Sequence, residues 1–224
     1  MKNLTIKKIF DYSSKTETSK TSFLNKLKSE VQNESTDSRN YWHRSLTAIS
    51  KSFKTEDKQC IIDRIEAIES DKEASTNRVT MQMYDSNLRI LYNFIDFDFS
   101  VWKPQDKINF ISQRGAISTI VINGTDVKIH GDDLFVYKRD DKKHIGAIWF
   151  VAKKNGYRNE DLALFTDGLF RLLKFNFSDE YVIDPDYCLA VDVFKVNAIN
   201  YSQILNYDVS SNLLSIIDEI KKRM

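Results

Sequence analysis

Residues 134–152 read LFVYKRDDKKHIGAIWFVA, and this stretch decides the fold. A short apolar run is followed by a polar turn at residues 139–143 and then by a second run, residues 144–152, that is apolar on both alternating faces. Such continuity is typical of a central strand that is covered on both sides, whereas a half-exposed strand alternates with polar residues. The stretch therefore predicts a strand pair within a sheet that needs a layer of structure above and below it.

The flanking sequence supplies more strands and two helices. Asn123-Gly124 lies between ISTIVI and TDVKIH, which is a strong hairpin signal because both turn residues tolerate positive φ. Asn159 can cap an amphipathic helix, and the apolar run 188–194 beyond it indicates a buried strand. A strand, helix and strand in succession imply a parallel pair. The apolar spacing over residues 213–220 predicts a C-terminal helix.

The N-terminal half has a different pattern. Between Thr21 and about Ile95 the apolar residues recur with a helical period in four runs. The predicted fold class is α+β, with a helical N-terminal half followed by a mixed β-sheet flanked by helices. The predicted organisation is an N-terminal arm over residues 1–20, a helical region over 21–100 and an α+β region over 101–224, all in one continuous compact unit.

Composition excludes several classes of protein. The 224 residues carry 33 Lys and Arg against 32 Asp and Glu, and this balance excludes nucleic-acid binding through overall positive charge, although local basic patches remain open. The 42% apolar content predicts a sizeable core. Two cysteines favour a reducing compartment, and no stretch suits a signal peptide or a membrane span. We therefore expect a soluble cytoplasmic protein without a membrane partner.

The common catalytic and metal motifs are absent from the sequence. It contains no Gly-rich phosphate loop, H-E-x-x-H, G-x-S-x-G or C-x-x-C. His43, His130 and His144 are far apart, and Cys60 and Cys188 lie in apolar patterns, where cysteine behaves as a small hydrophobe. The expectation from these observations is that the protein has no cofactor.

One constellation points to a specific chemistry. Asp132 and Asp133 begin one strand, and Lys153 and Lys154 end the neighbouring strand. Together with the following helix and strand, residues ~117–196 resemble the PD-(D/E)XK nuclease-like superfamily, which implies a restriction-endonuclease-like core. In that superfamily an acid on one strand and an acid-x-lysine on the next bind a divalent cation and position water against a phosphodiester. By resemblance, Asp133 is the first acid and Lys153 is the lysine; carboxylates suit Mg²⁺, which stabilises charge on the attacked phosphate.

The sequence departs from this pattern at two positions. Asp132 replaces the expected proline, and Val151 stands where the acid of the acid-x-lysine pair is expected. Valine offers no oxygen to a metal, so an active site requires a relocated acid such as Asp192 on the strand after the helix. The alternative interpretation is that the two aspartates are turn carboxylates and that Lys153 belongs to a solvated strand end.

Basic and aromatic residues supply the candidate nucleic-acid contacts. Lys153, Lys154 and Arg158 could contact phosphates, as could Lys7-Lys8 and residues 221–223 if they converge. Of the three tryptophans, Trp102 is expected to be exposed, where it could stack on a base or mark a partner surface. Trp42 and Trp149 lie in apolar periodic patterns, which favour the core.

Three functional hypotheses follow from these residues. The leading one is a nucleic-acid-associated binding or assembly protein with a catalytically degenerate PD-(D/E)XK-like domain, a kind of domain that by resemblance often serves in nucleic-acid processing or in defence against foreign DNA. The second is an active nuclease that uses Mg²⁺ with Asp133, Lys153 and Asp192 as catalytic residues and the two aspartates as metal ligands. The third is a protein-interaction subunit with no nucleic-acid role. A protein partner or a homo-oligomer is expected.

Overall fold

A computed structural model describes residues 4–29, 37–112 and 117–224 of the chain. The helices are α1 (Ile6–Ser13), α2 (Glu17–Ser29), α3 (Asp37–Thr55), α4 (Gln59–Glu73), α5 (Arg78–Tyr92), α6 (Asn159–Phe177), α7 (Tyr201–Leu205) and α8 (Leu213–Arg223), with a 3₁₀ helix at Phe99–Trp102. The strands are β1 (Leu4–Thr5), β2 (Asn109–Ile111), β3 (Thr119–Ile122), β4 (Thr125–Lys128), β5 (Asp133–Arg139), β6 (Lys142–Val151), β7 (Val182–Asp192) and β8 (Asn197–Asn200). The predicted α+β class is confirmed.

The strands form two sheets. The larger sheet has the order β2-β5-β6-β7-β8, in which β6 and β7 are parallel and the other neighbours are antiparallel. The smaller sheet has the order β1-β4-β3, with β1 parallel to β4 and with β3 and β4 antiparallel. A mixed larger sheet follows from the sequence, because α6 returns the chain to the starting end of the sheet before β7 begins.

A hydrophobic core lies on each face of the larger sheet. Helices α3–α5 cover one face and form what we call the helical core, which includes Phe53 and Phe94. Helices α1, α6 and α8 together with the smaller sheet form the second core on the opposite face. Strand β6 contributes to both, since Ile148 and Phe150 enter the helical core whereas Ala147 and Val151 enter the second. The prediction of a central strand covered on both sides is confirmed.

The predicted hairpins and helices form where local chemistry favours them. Asn123 and Gly124 both adopt positive φ between β3 and β4, and Asp140 and Asp141 do so between β5 and β6. Helix α6 has acidic residues in its first turn, as the sequence predicts, but Arg158 rather than Asn159 occupies the cap position and Asn159 is the first residue of the helix. The four helical runs between residues 21 and 95 correspond to α2–α5, although α2 already begins at Glu17.

Residues 4–13, within the segment assigned to the N-terminal arm, form β1 and α1. The Thr5 hydroxyl caps α1 by accepting a hydrogen bond from the Lys8 N–H at 3.1 Å. Ile6, Ile9, Phe10 and Tyr12 are all buried in the second core. The arm is therefore a structural layer of the protein over these residues. Within the described parts of the chain, no helix is both long enough and apolar enough to cross a membrane.

Candidate functional site

The ends of β6 and β7 gather several of the predicted site residues. Val151 and Asp192 are register partners at the ends of these parallel strands. A tight turn with Asn155 and Gly156 at positive φ then leads from β6 toward α6. Because parallel strands end at the same edge of a sheet, Lys153 and Asp192 are brought to this edge together.

Both oxygens of the Asp192 carboxylate accept hydrogen bonds from the local backbone. Its Oδ2 accepts the Tyr157 N–H at 2.7 Å and its Oδ1 accepts the Phe194 N–H at 2.9 Å, and the residue is fully buried. A Cβ atom at Gly156 would overlap Oδ2, so only glycine lets the turn approach the carboxylate this closely. Asp192 therefore fixes the turn between β6 and α6, which is a structural role.

Lysine side chains surround a partly buried carboxyl beside this turn. The Lys153 ammonium lies over the rings of Phe10 (4.6 Å) and Tyr157 (5.4 Å). Burial raises the pKa of Asp11 on α1, while the positive charges of Lys7, Lys15 and Lys153 act in the opposite direction. Lys7 on α1, Lys15 beyond the end of α1 and Lys153 beyond the end of β6 therefore all interact electrostatically with the Asp11 carboxylate.

Further cationic side chains lie near Lys153, around the turn between β6 and α6. Lys195 donates to the Tyr157 carbonyl at 3.0 Å, and Lys154 is exposed. Arg158 is largely exposed and pairs with Asp161, with an Nη2–Oδ1 distance of 3.0 Å. We call the set the basic face and define it by these residues: Lys7, Lys15, Lys153, Lys154, Arg158 and Lys195.

The structure places Asp133 away from Lys153 and Asp192. Asp133 is the register partner of Ile148, whose side chain lies in the helical core, whereas Asp192 is the partner of Val151 in the second core. Paired residues project to the same face of a sheet. The carboxylates of Asp133 and Asp192 therefore project from opposite faces of the sheet.

Two residues of α3 hold the Asp133 carboxylate. Its Oδ2 accepts the Ser50 hydroxyl at 2.8 Å, and its Oδ1 lies 2.9 Å from the Lys54 ammonium. Burying a carboxylate is costly unless it is paired and hydrogen-bonded, and both requirements are met here. No sequence pattern connects Lys54 with Asp133, so this ion pair is visible only in the fold.

Asp132 lines a cleft of about 310 Å³ at the start of β5, together with Lys54, residues 110–112, Gly131, Asp133 and Leu134. Its carboxylate accepts the Phe150 N–H at 2.7 Å. The residue as a whole is exposed, but the protein around the carboxyl desolvates it and raises its pKa to about 7. The Asp133 charge adds to this shift, whereas the Phe150 N–H and Lys54 oppose it.

This cleft does not provide a full set of metal ligands. Across residues 4–29, 37–112 and 117–224, no group of three or more His, Cys, Asp or Glu side chains is placed to hold a metal ion. Asp132 and Asp133 are only two carboxylates, and one already binds an ammonium. Mg²⁺ bound through so few protein oxygens would depend on water and substrate for its remaining ligands.

The prediction of an exposed Trp102 is wrong. The residue is 7% exposed and packs among Phe94, Phe97, Phe99 and Phe150, with its ring centroid 4.4 Å from that of Phe97. Trp102 is the last residue of the 3₁₀ helix Phe99–Trp102, which follows the acidic and aromatic segment and turns the aromatic rings inward. Trp102 therefore cannot stack on a base.

A polar cluster around Asp184 was not suggested by the sequence. Asp184 accepts hydrogen bonds from the Tyr137 hydroxyl, Arg139 and the Asp186 N–H, and His144 Nδ1 lies 3.9 Å from Oδ2. The cluster lies where β7 bulges out of register with β6. The Asp-Pro-Asp segment at 184–186 is the signal that could have indicated an irregular strand here. Its hydrogen bonds stabilise the bulge.

Comparisons with known proteins assign no family. No family model matches the chain, and no curated protein and no solved structure matches it.

Proposed function

We propose that the chain is a nucleic-acid-associated binding or assembly protein whose PD-(D/E)XK-like sheet lacks a working metal centre. The basic face is the observation that carries this proposal, because its cations come from three separate parts of the chain and meet at one edge of the sheet. Phosphate groups of a nucleic acid are the ligands that clustered lysine and arginine side chains attract most strongly.

The surroundings of Val151, Asp192 and Asp133 support a nuclease-like domain without catalytic activity. Val151 is buried in the second core, where it offers no oxygen, and Asp192 already accepts two backbone N–H groups. Asp133 binds Ser50 and Lys54 on the other face of the sheet. A nuclease centre requires its acids and lysine around one water molecule, and this arrangement disperses them.

Asp11 modulates the charge of the basic face in this proposal. The carboxylate competes with an incoming phosphate for Lys7, Lys15 and Lys153, since all four groups interact electrostatically. Asp11→Asn should therefore increase affinity for nucleic acid at low salt. Lys7→Gln and Lys153→Gln should each weaken binding.

Binding of duplex and single-stranded DNA and RNA over a range of salt concentrations tests the proposal. We expect affinity to fall as salt rises, and each lysine-to-glutamine variant to reduce the salt slope by up to about 0.9 for duplex DNA. Lys138→Gln is the matched control. Lys138 is also exposed, but it lies near the last residue of β5, at the end of the sheet that is opposite to the basic face. No binding at low salt would overturn the proposal and leave the interaction-subunit hypothesis.

A nuclease assay with Mg²⁺ or Mn²⁺ tests the inactive metal centre separately. We expect the substrate to remain intact with the wild-type protein. Cutting that disappears in Asp133→Asn and Lys153→Gln, but persists in Lys138→Gln, would instead establish the active nuclease.

A further inference from the structure

Strand β3 forms an open edge of the smaller sheet. It pairs with β4 on one side, and no strand of the described residues pairs with it on the other. Its side chains alternate, so that Ile120 and Ile122 are buried while Thr119 and Val121 are exposed. The buried side chains therefore hold the strand in place, while the side chains of its other face are exposed.

The register identifies which backbone groups point outward. Ile122 and Thr125 close the two-residue hairpin, and Ser118 accepts the Ile129 N–H at 2.7 Å. Because hydrogen bonding alternates along an antiparallel pair, the even-numbered residues bond to β4. Thr119 and Val121 direct their N–H and C=O groups away from it, and within the described chain these groups find no partner.

Asn176 at the end of α6 already mimics a pairing strand at one position of this edge. Its carboxamide accepts the Ile117 N–H at 2.8 Å and donates to the Ile117 carbonyl at 3.0 Å. Those are the two bonds that the opposite residue of an added antiparallel strand would make. The open part of the edge is consequently short, bounded by Asn176 at one end and by the Asn123-Gly124 turn at the other.

The edge lacks the usual features that prevent strand pairing. Residues 117–122 contain no charge and no proline, and four of the six are β-branched isoleucine or valine. Val121 is 67% exposed and Ile117 52% exposed, and Phe175 beside Asn176 is 58% exposed. An apolar, uncharged and accessible edge is expected to be covered in the assembled protein.

We propose that this edge pairs antiparallel with the β3 edge of a second copy of the chain. The two-fold axis passes by Ile120, so that Thr119 of each copy lies opposite Val121 of the other and four backbone hydrogen bonds form. A symmetric pair needs only residues 119–121, which is the length that Asn176 and the turn leave open, whereas a longer added strand would meet the Ile117 backbone groups that Asn176 already occupies. The facing side chains carry no charge, so the two copies do not repel each other at the contact.

The size of the contact makes the dimer reversible. We expect a strand pair of this length, even with Ile117 and Phe175 at its margins, to bury less than the ~1,200 Å² of stable complexes. We therefore expect a dimer that dissociates on dilution.

Analytical ultracentrifugation over a dilution series tests the proposal, with amide hydrogen exchange as a local readout. We expect a concentration-dependent dimer, with slower exchange of the Thr119 and Val121 amides in concentrated samples. Val121→Lys should raise the dissociation constant at least about tenfold, since it places a charge at the contact. Val79→Lys is the matched control, because Val79 is equally exposed but lies on α5.

Val121→Pro provides a second variant that spares the monomer. The Val121 N–H does not point at β4, so proline removes only the outward donor, and the β3–β4 ladder should persist. A chain that stays monomeric at every concentration would overturn the proposal. So would a dimer that survives both Val121 variants, or one that Val79→Lys disrupts equally.

Discussion

Two residues with left-handed backbone conformations differ in what their side chains do. Glu56 (φ +58°) follows α3, and Tyr207 (φ +64°) lies just past the end of α7, in positions where glycine is usual. The Glu56 carboxylate lies 2.8 Å from the ammonium of Lys103, a buried lysine positioned over the Phe53 ring. The Tyr207 side chain is 92% exposed. Backbone strain at Glu56 is offset by an ion pair, whereas the solvated Tyr207 side chain offers no comparable compensation.

Glycine substitutions should have opposite effects on stability at Tyr207 and at Glu56. Tyr207→Gly should raise the free energy of unfolding by about 0.5–1 kcal/mol, because it relieves the strain at an exposed side chain. Glu56→Gly relieves similar strain but removes the carboxylate that is hydrogen-bonded to the buried Lys103 ammonium, so we expect a net loss of about 1–2 kcal/mol. Urea unfolding of both variants measures the difference. A gain in stability for Glu56→Gly would show that the ion pair contributes little.

The raised pKa of Asp132 predicts a pH-dependent stability. Its folded pKa of about 7 exceeds its ordinary value of 3.8, so the folded protein keeps a proton that the unfolded chain releases. The stability from this proton is complete below the ordinary value and is lost as pH rises through the folded pKa. Solvent reaches part of the residue, which moderates the size of the effect.

Asp132→Asn should flatten this pH dependence. The amide keeps an oxygen that can accept the Phe150 N–H but carries no charge, so the variant should match the wild-type protein near pH 4 and exceed its stability near pH 8. Thermal unfolding measured across that range tests the prediction. Asp141→Asn, in the exposed turn between β5 and β6, is the control and should keep the wild-type profile. Parallel profiles for wild type and Asp132→Asn would contradict the assignment.

At the scale of elements, strand β6 depends on a glycine. A Cβ atom at Gly146 would lie 2.7 Å from the Phe135 ring and 2.7 Å from the Tyr187 carbonyl. This glycine is where β7 bulges, and the bulge pushes the Tyr187 backbone against β6. Gly168 in α6 is also tightly packed, but its nearest neighbour is the terminal methyl group of Ile6, at 2.7 Å.

Alanine substitutions at these glycines should have unequal effects. Gly146→Ala forces a backbone carbonyl and a ring apart, and we expect a loss of about 2–3 kcal/mol in unfolding free energy. At Gly168, rotation of Ile6 and the higher helix propensity of alanine, about 1 kcal/mol, oppose the overpacking. Gly168→Ala should therefore change stability by less than about 1 kcal/mol. Chemical unfolding compares the two, and equal losses would indicate that the Ile6 side chain cannot move.

The elements could be predicted from sequence more fully than the candidate site. Hairpin β3–β4 and helix α6 follow from local signals, the Asn123-Gly124 turn and the acidic first turn. The face of the sheet from which Asp133 projects depends on the register between β5 and β6. The polar run 139–143 is compatible with several turns. The turn at Asp140-Asp141 is the one that forms, and it sets Asp133 opposite Ile148. A shift by one residue would have moved the carboxylate to the other face. No local sequence pattern indicates a long-range partner such as Lys54, which pairs with Asp133.

At the scale of the whole molecule, the larger sheet links two cores that contain different parts of the chain. The helical core draws on residues from 48 to 194, and the second core on residues from 4 to 220. Both include side chains of β5, β6 and β7, and α1 from the N-terminus packs against α8 from the C-terminus. Neither half of the chain completes a core on its own.

Unfolding should therefore be a single cooperative event, and mutations in either core should shift it as a whole. Ile9 on α1 and Phe94 after α5 are fully buried in different cores. Ile9→Ala should destabilise the protein by about 2–5 kcal/mol and Phe94→Ala by about 3–5 kcal/mol. In each variant, calorimetry should give one transition whose calorimetric and van't Hoff enthalpies agree. The sheet enforces this coupling, because melting of either core exposes one face of β6 and removes half of the packing that holds the other. Two separate transitions in Phe94→Ala, with the second unchanged from wild type, would instead identify the N-terminal helices as an independent domain.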